Sequence, residues 1–168
     1  MSSTSYNQKK YVGKSSIVDF YDSKHYNPDV YATSSGDPYH ENTFTGELNV
    51  HVHDTAGETH EATVIALCAR CNAIVLVYDK TYKQSFGKID DLHNSIKQHI
   101  NLEKVVVFLV GNKTDETHEE QVNTDEGYNK HKYLKTDLFI ETSAKTGYNI
   151  NELFNKIEAE VKISGKRP

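Results

Sequence analysis

Apolar residues along this chain fall into short blocks with two different periods. Leu48 to His53, LNVHVH, alternates apolar and polar positions, which predicts a strand with one covered face. Ala73 to Tyr78, AIVLVY, and Val105 to Val110, VVVFLV, are continuous apolar runs, the pattern of strands buried on both faces. Leu138 to Ile140, with Glu141 and Thr142, predicts a third and shorter one. Phe86, Ile89, Leu92, Ile96 and Ile100 recur at three- and four-residue steps, the stripe of an amphipathic helix. Ile150, Leu153, Phe154, Ile157 and Val161 repeat that pattern near the end, with Asn149 or Asn151 as the cap. Glu58 to Arg70 and Ser15 to Lys24 are less regular helical segments, and the stretch before Leu138 is expected as a loop. Buried strands alternating with helices predict an α/β fold of three layers, a mostly parallel central sheet flanked by helices.

Ligands of such sheets bind in the loops at the carboxyl ends of the strands. Those ends carry a consistent set of residues. LNVHVH runs into Asp54-Thr55-Ala56-Gly57-Glu58, VVVFLV into Gly111-Asn112-Lys113-Thr114-Asp115, and LFI into Glu141-Thr142-Ser143-Ala144-Lys145. Gly13-Lys14-Ser15 adds the end of a phosphate-binding pattern, G-x-x-x-x-G-K-[ST], ahead of the first helical segment. Asp115 has two carboxylate oxygens that can accept from the ring N–H and exocyclic amine of guanine, a pair adenine cannot present. Backbone N–H groups from Gly13 to Ser16 would open a helix and face phosphates, helped by the helix dipole.

With DTAGE, GNKTD and ETSAK in order, and with LVYDKTYKQSF and ETSAKTGYNINELF around them, the chain resembles the Ras-superfamily small GTPases and is most similar to the Rab family, from about Val12 to about Val161. The resemblance implies a phosphate-loop NTPase fold, the small G domain, and a switch that binds GTP and GDP with Mg²⁺. It implies that Lys14 reaches the β- and γ-phosphates as the catalytic lysine, with Gly13 and Ser16 in the same loop, and that Ser15 and Asp54 hold Mg²⁺. Thr33 would ligate the metal in the triphosphate state, and Tyr26 would cover the guanine edge. Gly57 would offer its N–H to the γ-phosphate, so that hydrolysis releases the segment. Asn112 and Lys113 would support the base beside Asp115, while Ala144 gives a backbone N–H to the guanine oxygen and Ser143 and Lys145 shape the loop. Effectors, exchange factors and activating proteins are the partners implied, with a role in vesicle traffic or signalling.

The chain departs from the family at three places. Gln8 stands where the phosphate loop has its first glycine, Lys9, Lys10 and Tyr11 fill positions usually held by small residues, and only the polar MSSTSYN precedes them where the family has an apolar strand. Glu58 replaces the glutamine that orients the attacking water. A carboxylate accepts from water but cannot donate to the transition-state oxygens, so slow intrinsic hydrolysis is expected. The segment NPDVYATSSGDPYHENTF around Thr33 also diverges. These departures keep a second reading open, a pseudo-GTPase that serves as an interaction module with little or no turnover. Asp115 and the SAK loop argue against a third, an ATP-using enzyme.

Composition narrows the setting. The 168 residues suit one domain, 1–168, with a divergent polar N-terminus over 1–10 and a C-terminal tail over 162–168. A net charge of −5 argues against a nucleic-acid partner. No apolar run approaches the ~20 residues of a membrane span, and KISGKRP offers no cysteine for C-terminal prenylation. A cytoplasmic location is expected, with attachment to endomembranes through partners. Cys68-Ala69-Arg70-Cys71 has metal-ligand spacing, with His51, His53 and His60 before it, but its place in a helix leading to a buried strand favours structural thiols. The acidic run Glu116 to Glu120 is expected as a solvated loop.

Overall fold

The computed structural model describes residues 11–28, 39–44, 50–55 and 59–165. Helix α1 spans Lys14–Ser23, and strands β1, Tyr39–Phe44, and β2, Val50–Thr55, form an antiparallel pair in which Tyr39 faces Thr55. Helix α2 (Glu61–Cys68), strand β3 (Ala73–Asp79), helix α3 (Lys83–His99), strand β4 (Val106–Asn112), helix α4 (Thr124–Leu134), strand β5 (Leu138–Glu141) and helix α5 (Ile150–Ser164) follow. Strands β3, β4 and β5 are parallel in that order, with Val75 opposite Phe108 and Leu109 opposite Phe139. The α/β class read from the sequence is the class observed.

The two continuous apolar runs explain the layers. Successive strand residues point to opposite faces. Ile74, Leu76, Tyr78, Val105, Val107 and Leu109 therefore join one core, with Cys68 of α2, Ile89 and Ile96 of α3 and Leu134 of α4. Their neighbours Val106, Phe108 and Val110 join another, with Ile17 of α1 and Ile150, Leu153 and Phe154 of α5. Every residue of β4 is buried. Each fully buried Leu, Ile or Phe stabilises by about 1.5–3 kcal/mol. Tyr21 of α1 stacks on Phe154 of α5 at 3.7 Å between centroids, which closes the second layer.

Two elements were not legible as such. The stretch expected as a loop holds α4, which buries only Gly127 and Leu134 and so shows no apolar stripe. Its signature is a capping box: Asn123 Oδ1 accepts from the Glu126 N–H at 2.9 Å, and Glu126 Oε2 accepts from the Asn123 N–H at 2.9 Å. Strand β1, YHENTF, has no apolar alternation and is held by its backbone ladder to β2. Asn149 does precede α5, but in a left-handed conformation and with no side-chain cap bond. Its Nδ2 donates instead to the Glu141 carbonyl at 2.9 Å.

The expected structural thiols are found. Cys68 lies in the core, where burial pushes its thiol up to about 11, and Cys71 Sγ donates to the Leu67 carbonyl at 3.2 Å. Val52 packs inward while His51 is exposed. Among the described residues no helix is long and apolar enough to cross a membrane.

His93 of α3 is buried against the β3 layer. Burial, then the Lys97 ammonium, lowers its pKa below 6.5, against a smaller opposing pull from Asp90. His131 of α4 shifts the same way, by burial and Lys132 against Asp137. A base with a depressed folded pKa contributes full stability above its unfolded pKa and loses it as pH falls towards the folded value. Stability in urea should therefore decline from pH 7 to pH 5, by at most about 1.4 kcal/mol per pH unit per histidine. His93→Leu should flatten that slope, as denaturation midpoints across the range will show.

Candidate functional site

Helix α1 opens without an acidic residue in its first turn, and its N-cap is Gly13 at φ 85°. That left-handed conformation favours glycine. Space demands glycine as well, because a Cβ at position 13 would lie 2.5 Å from Asn112 Nδ2. The Gly13 carbonyl accepts from the Ile17 N–H at 3.0 Å, so the helix is regular from its first residue. Lys14, Ser15 and Ser16 make its first turn, where N–H groups have no partner inside the helix and the dipole favours an anion.

Burial lowers the Lys14 pKa from 10.5, and the nearby Asp54 carboxylate pushes it back up. Asp54, on β2, is buried at 6% exposure. These two residues lie 40 positions apart in separate motifs, and the fold brings their charges close enough to interact.

Asn112 ends β4 at 1% exposure and fastens two loops. Its Nδ2 donates to the Val12 carbonyl at 3.0 Å. Its Oδ1 accepts from Thr142 Oγ1 at 3.2 Å and from the Ala144 N–H at 3.3 Å. A single side-chain amide thus ties the loop before Lys14 to the loop after β5. The Thr142 carbonyl returns the link, accepting from the Thr114 N–H at 3.1 Å and from Thr114 Oγ1 at 3.2 Å.

The base-side candidates gather around Asp115. Ser143 Oγ donates to Asp115 Oδ1 at 2.5 Å, and Lys145 Nζ lies 3.7 Å from Oδ2. Lys113 is left-handed at φ 70°, and its Nζ pairs with Asp79 Oδ2 at 2.8 Å. Gly147 at φ 80° closes the loop, and a Cβ there would meet the Phe20 ring of α1 at 2.3 Å. The loop after β5 therefore leans directly on helix α1.

Among the described candidates, Gly13, Lys14, Ser15, Ser16, Asp54, Asn112, Lys113, Asp115, Ser143, Ala144 and Lys145 lie on β2, on α1 with its N-cap, at the end of β4, and on the loops after β4 and β5. Tyr26 follows α1 and is exposed. Thr33, Gly57 and Glu58 lie outside the described residues. Sequence reasoning missed Thr114, Thr142 and Asp79. Asp79 gave no clear signal in the sequence, where a carboxylate closing an apolar run reads as the start of solvent; in the fold it lies opposite Asn112 at the end of β4.

Replacing Asn112 by Ala strands a buried hydroxyl, a buried N–H and a carbonyl together. Each unmet buried group costs about 1–3 kcal/mol. Asn112→Ala should lower unfolding free energy in urea by at least about 2 kcal/mol. Thr142→Val, which removes one bond, should cost about 1 kcal/mol. Equal losses would contradict the hub.

Residues 9–163 match the Ras family. Over 118 residues the chain is 39% identical to Ras-related protein Rab-17 of Mus musculus, covering 70% of this chain and 55% of that protein. Over 115 residues it is 38% identical to Ras-related protein Rab-17 of Homo sapiens, covering 68% and 54%. The aligned segment spans about half the length of these curated relatives. The family match spans most of the chain, and the chain belongs to the Ras family.

Proposed function

We propose that this chain is a guanine-nucleotide switch of the Rab and Ras type, which binds GTP and GDP and hydrolyses GTP slowly in vesicle traffic or signalling. The observation that carries the reading is the Asn112 amide. It holds Val12, two residues before Lys14, and Ala144, beside the Ser143 that grips Asp115, in one hydrogen-bonded unit. A phosphate-binding helix N-terminus and a base-reading carboxylate are useful together only if their spacing is fixed.

Each residue has a task that its chemistry supports. The N–H groups of Lys14, Ser15 and Ser16 would bind phosphate oxygens, with the Lys14 ammonium adding charge. The Asp115 carboxylate would accept from the guanine edge, and Ser143 and Lys145, which hold it now, would keep it oriented. The missing side chain at Gly13 leaves room for the Asn112 amide, which sets the start of α1. Ser15 and Asp54 are hard oxygen donors of the kind Mg²⁺ takes, with Thr33 as a further donor. When bound, the ion would neutralise phosphate charge. Glu58 in place of a water-orienting glutamine supports a slow intrinsic rate. Effectors, exchange factors and activating proteins would read and reset the two states, and would hold the protein at endomembranes.

The direct test is to purify the protein without added nucleotide, denature it, and identify the released small molecules by chromatography. One guanine nucleotide per chain is expected, and GTP surviving purification would support slow hydrolysis. A protein that emerges empty and takes up no GTP with Mg²⁺ overturns the switch and leaves an interaction module.

A further inference from the structure

The residue that ends β3 and the one that follows it carry opposite charges, and both are buried, Asp79 at 0% and Lys80 at 5% exposure. Two adjacent buried charges need separate partners, because an unpaired one is strongly destabilising. Asp79 finds its partner in the loop after β4, and Lys80 finds its own at the end of β5. Asp79 Oδ2 pairs with Lys113 Nζ at 2.8 Å. Its Oδ1 accepts from the Thr81 N–H and from Thr81 Oγ1, both at 2.7 Å, so the carboxylate is held at both ends. Lys80 Nζ pairs with Glu141 Oε1 at 2.7 Å and with Glu120 Oε1 at 3.5 Å. Glu141 Oε2 also accepts from Thr124 Oγ1 at 2.9 Å.

The backbone joins the same brace. The Lys80 N–H donates to the Asn112 carbonyl at 3.0 Å, and the Lys80 carbonyl accepts from Gln121 and Val122 at 2.8 and 3.0 Å. Glu141 immediately precedes the 142–145 loop, and Lys113 sits two residues before Asp115. Lys113 holds a left-handed conformation uncommon for a side chain of its size. Its ion pair with a wholly buried carboxylate supplies a reason for that conformation to persist.

We propose that Asp79 and Lys80 are positioning residues for the base side of the nucleotide site, Asp79 setting Lys113 and Lys80 setting Glu141 and the 142–145 loop. This rests on the guanine-nucleotide reading above. Neither side chain is placed to touch the base. They act by ordering two loops before ligand arrives, which lowers the ordering cost of binding.

The test follows release of a fluorescent N-methylanthraniloyl GDP into excess GDP. Asp79→Asn and Lys80→Met should each speed release by about tenfold or more, equivalent to ~1.4 kcal/mol. Lys80→Arg, which keeps the charge, should stay close to the unmutated rate. In a Lys113→Met background, Asp79→Asn should add little, the signature of one shared interaction. A general loss of stability would instead speed release in both backgrounds alike, and that result overturns the assignment, as does an unchanged rate in folded variants. Should Asp79→Asn fail to fold, the two Lys80 variants decide. If the unmutated protein binds no guanine nucleotide, the nucleotide reading fails on its own. Amide hydrogen exchange over 113–115 and 142–146 in the ligand-free protein then decides the positioning roles: faster exchange in the variants supports them, and unchanged exchange refutes them.

Discussion

The arrangement turns on one buried side-chain amide. Asn112 is an amide and not a carboxylate because its surroundings require one donor and one acceptor: the Val12 carbonyl must receive a hydrogen, while Thr142 and Ala144 must give one. An aspartate would face the Val12 carbonyl with an oxygen, and a leucine would leave all three groups unmet. Because the amide is planar and fully enclosed, its bonds fix the loops before α1 and after β5 relative to the end of β4. Gly13 follows from the same constraint, since a larger residue would displace the amide.

The sheet supplies what the amide cannot. Strands β3, β4 and β5 run parallel and are covered on both faces, so their carboxyl ends fall at one end of the domain and can shift little. Charge is then concentrated at those ends. Asp79, Lys80, Lys113, Asp115, Glu141 and Lys145 meet there as pairs of opposite charge. Phe20 against Gly147 adds an apolar contact between α1 and the last loop. Hydrogen bonding, ion pairing and packing thus connect the same few segments, a redundancy that lets polar loops hold a fixed shape.

What the sequence revealed depended on period and on chemistry at strand ends. AIVLVY and VVVFLV were legible because a run apolar at every position has few uses other than a doubly covered strand. The loops were legible because Asn112, Asp115 and Ser143 have few roles in that order after such strands. Helix α4 was not, since it presents little apolar surface and its cap is a polar motif within an acidic stretch. The ion pairs of Asp79 and Lys80 were also hidden. A charge at the end of an apolar run reads as the start of solvent, and only the neighbouring strands reveal that it is enclosed.

The central claim is that the phosphate side and the base side behave as one unit through Asn112. Inorganic pyrophosphate with Mg²⁺ tests it most directly, because on the proposed reading it would contact the N-terminus of α1 alone. Amide hydrogen exchange should slow over 12–16 and, in the same titration, over 113–115 and 142–146. Protection confined to 12–16, with the base-side loops exchanging as before, would contradict the account.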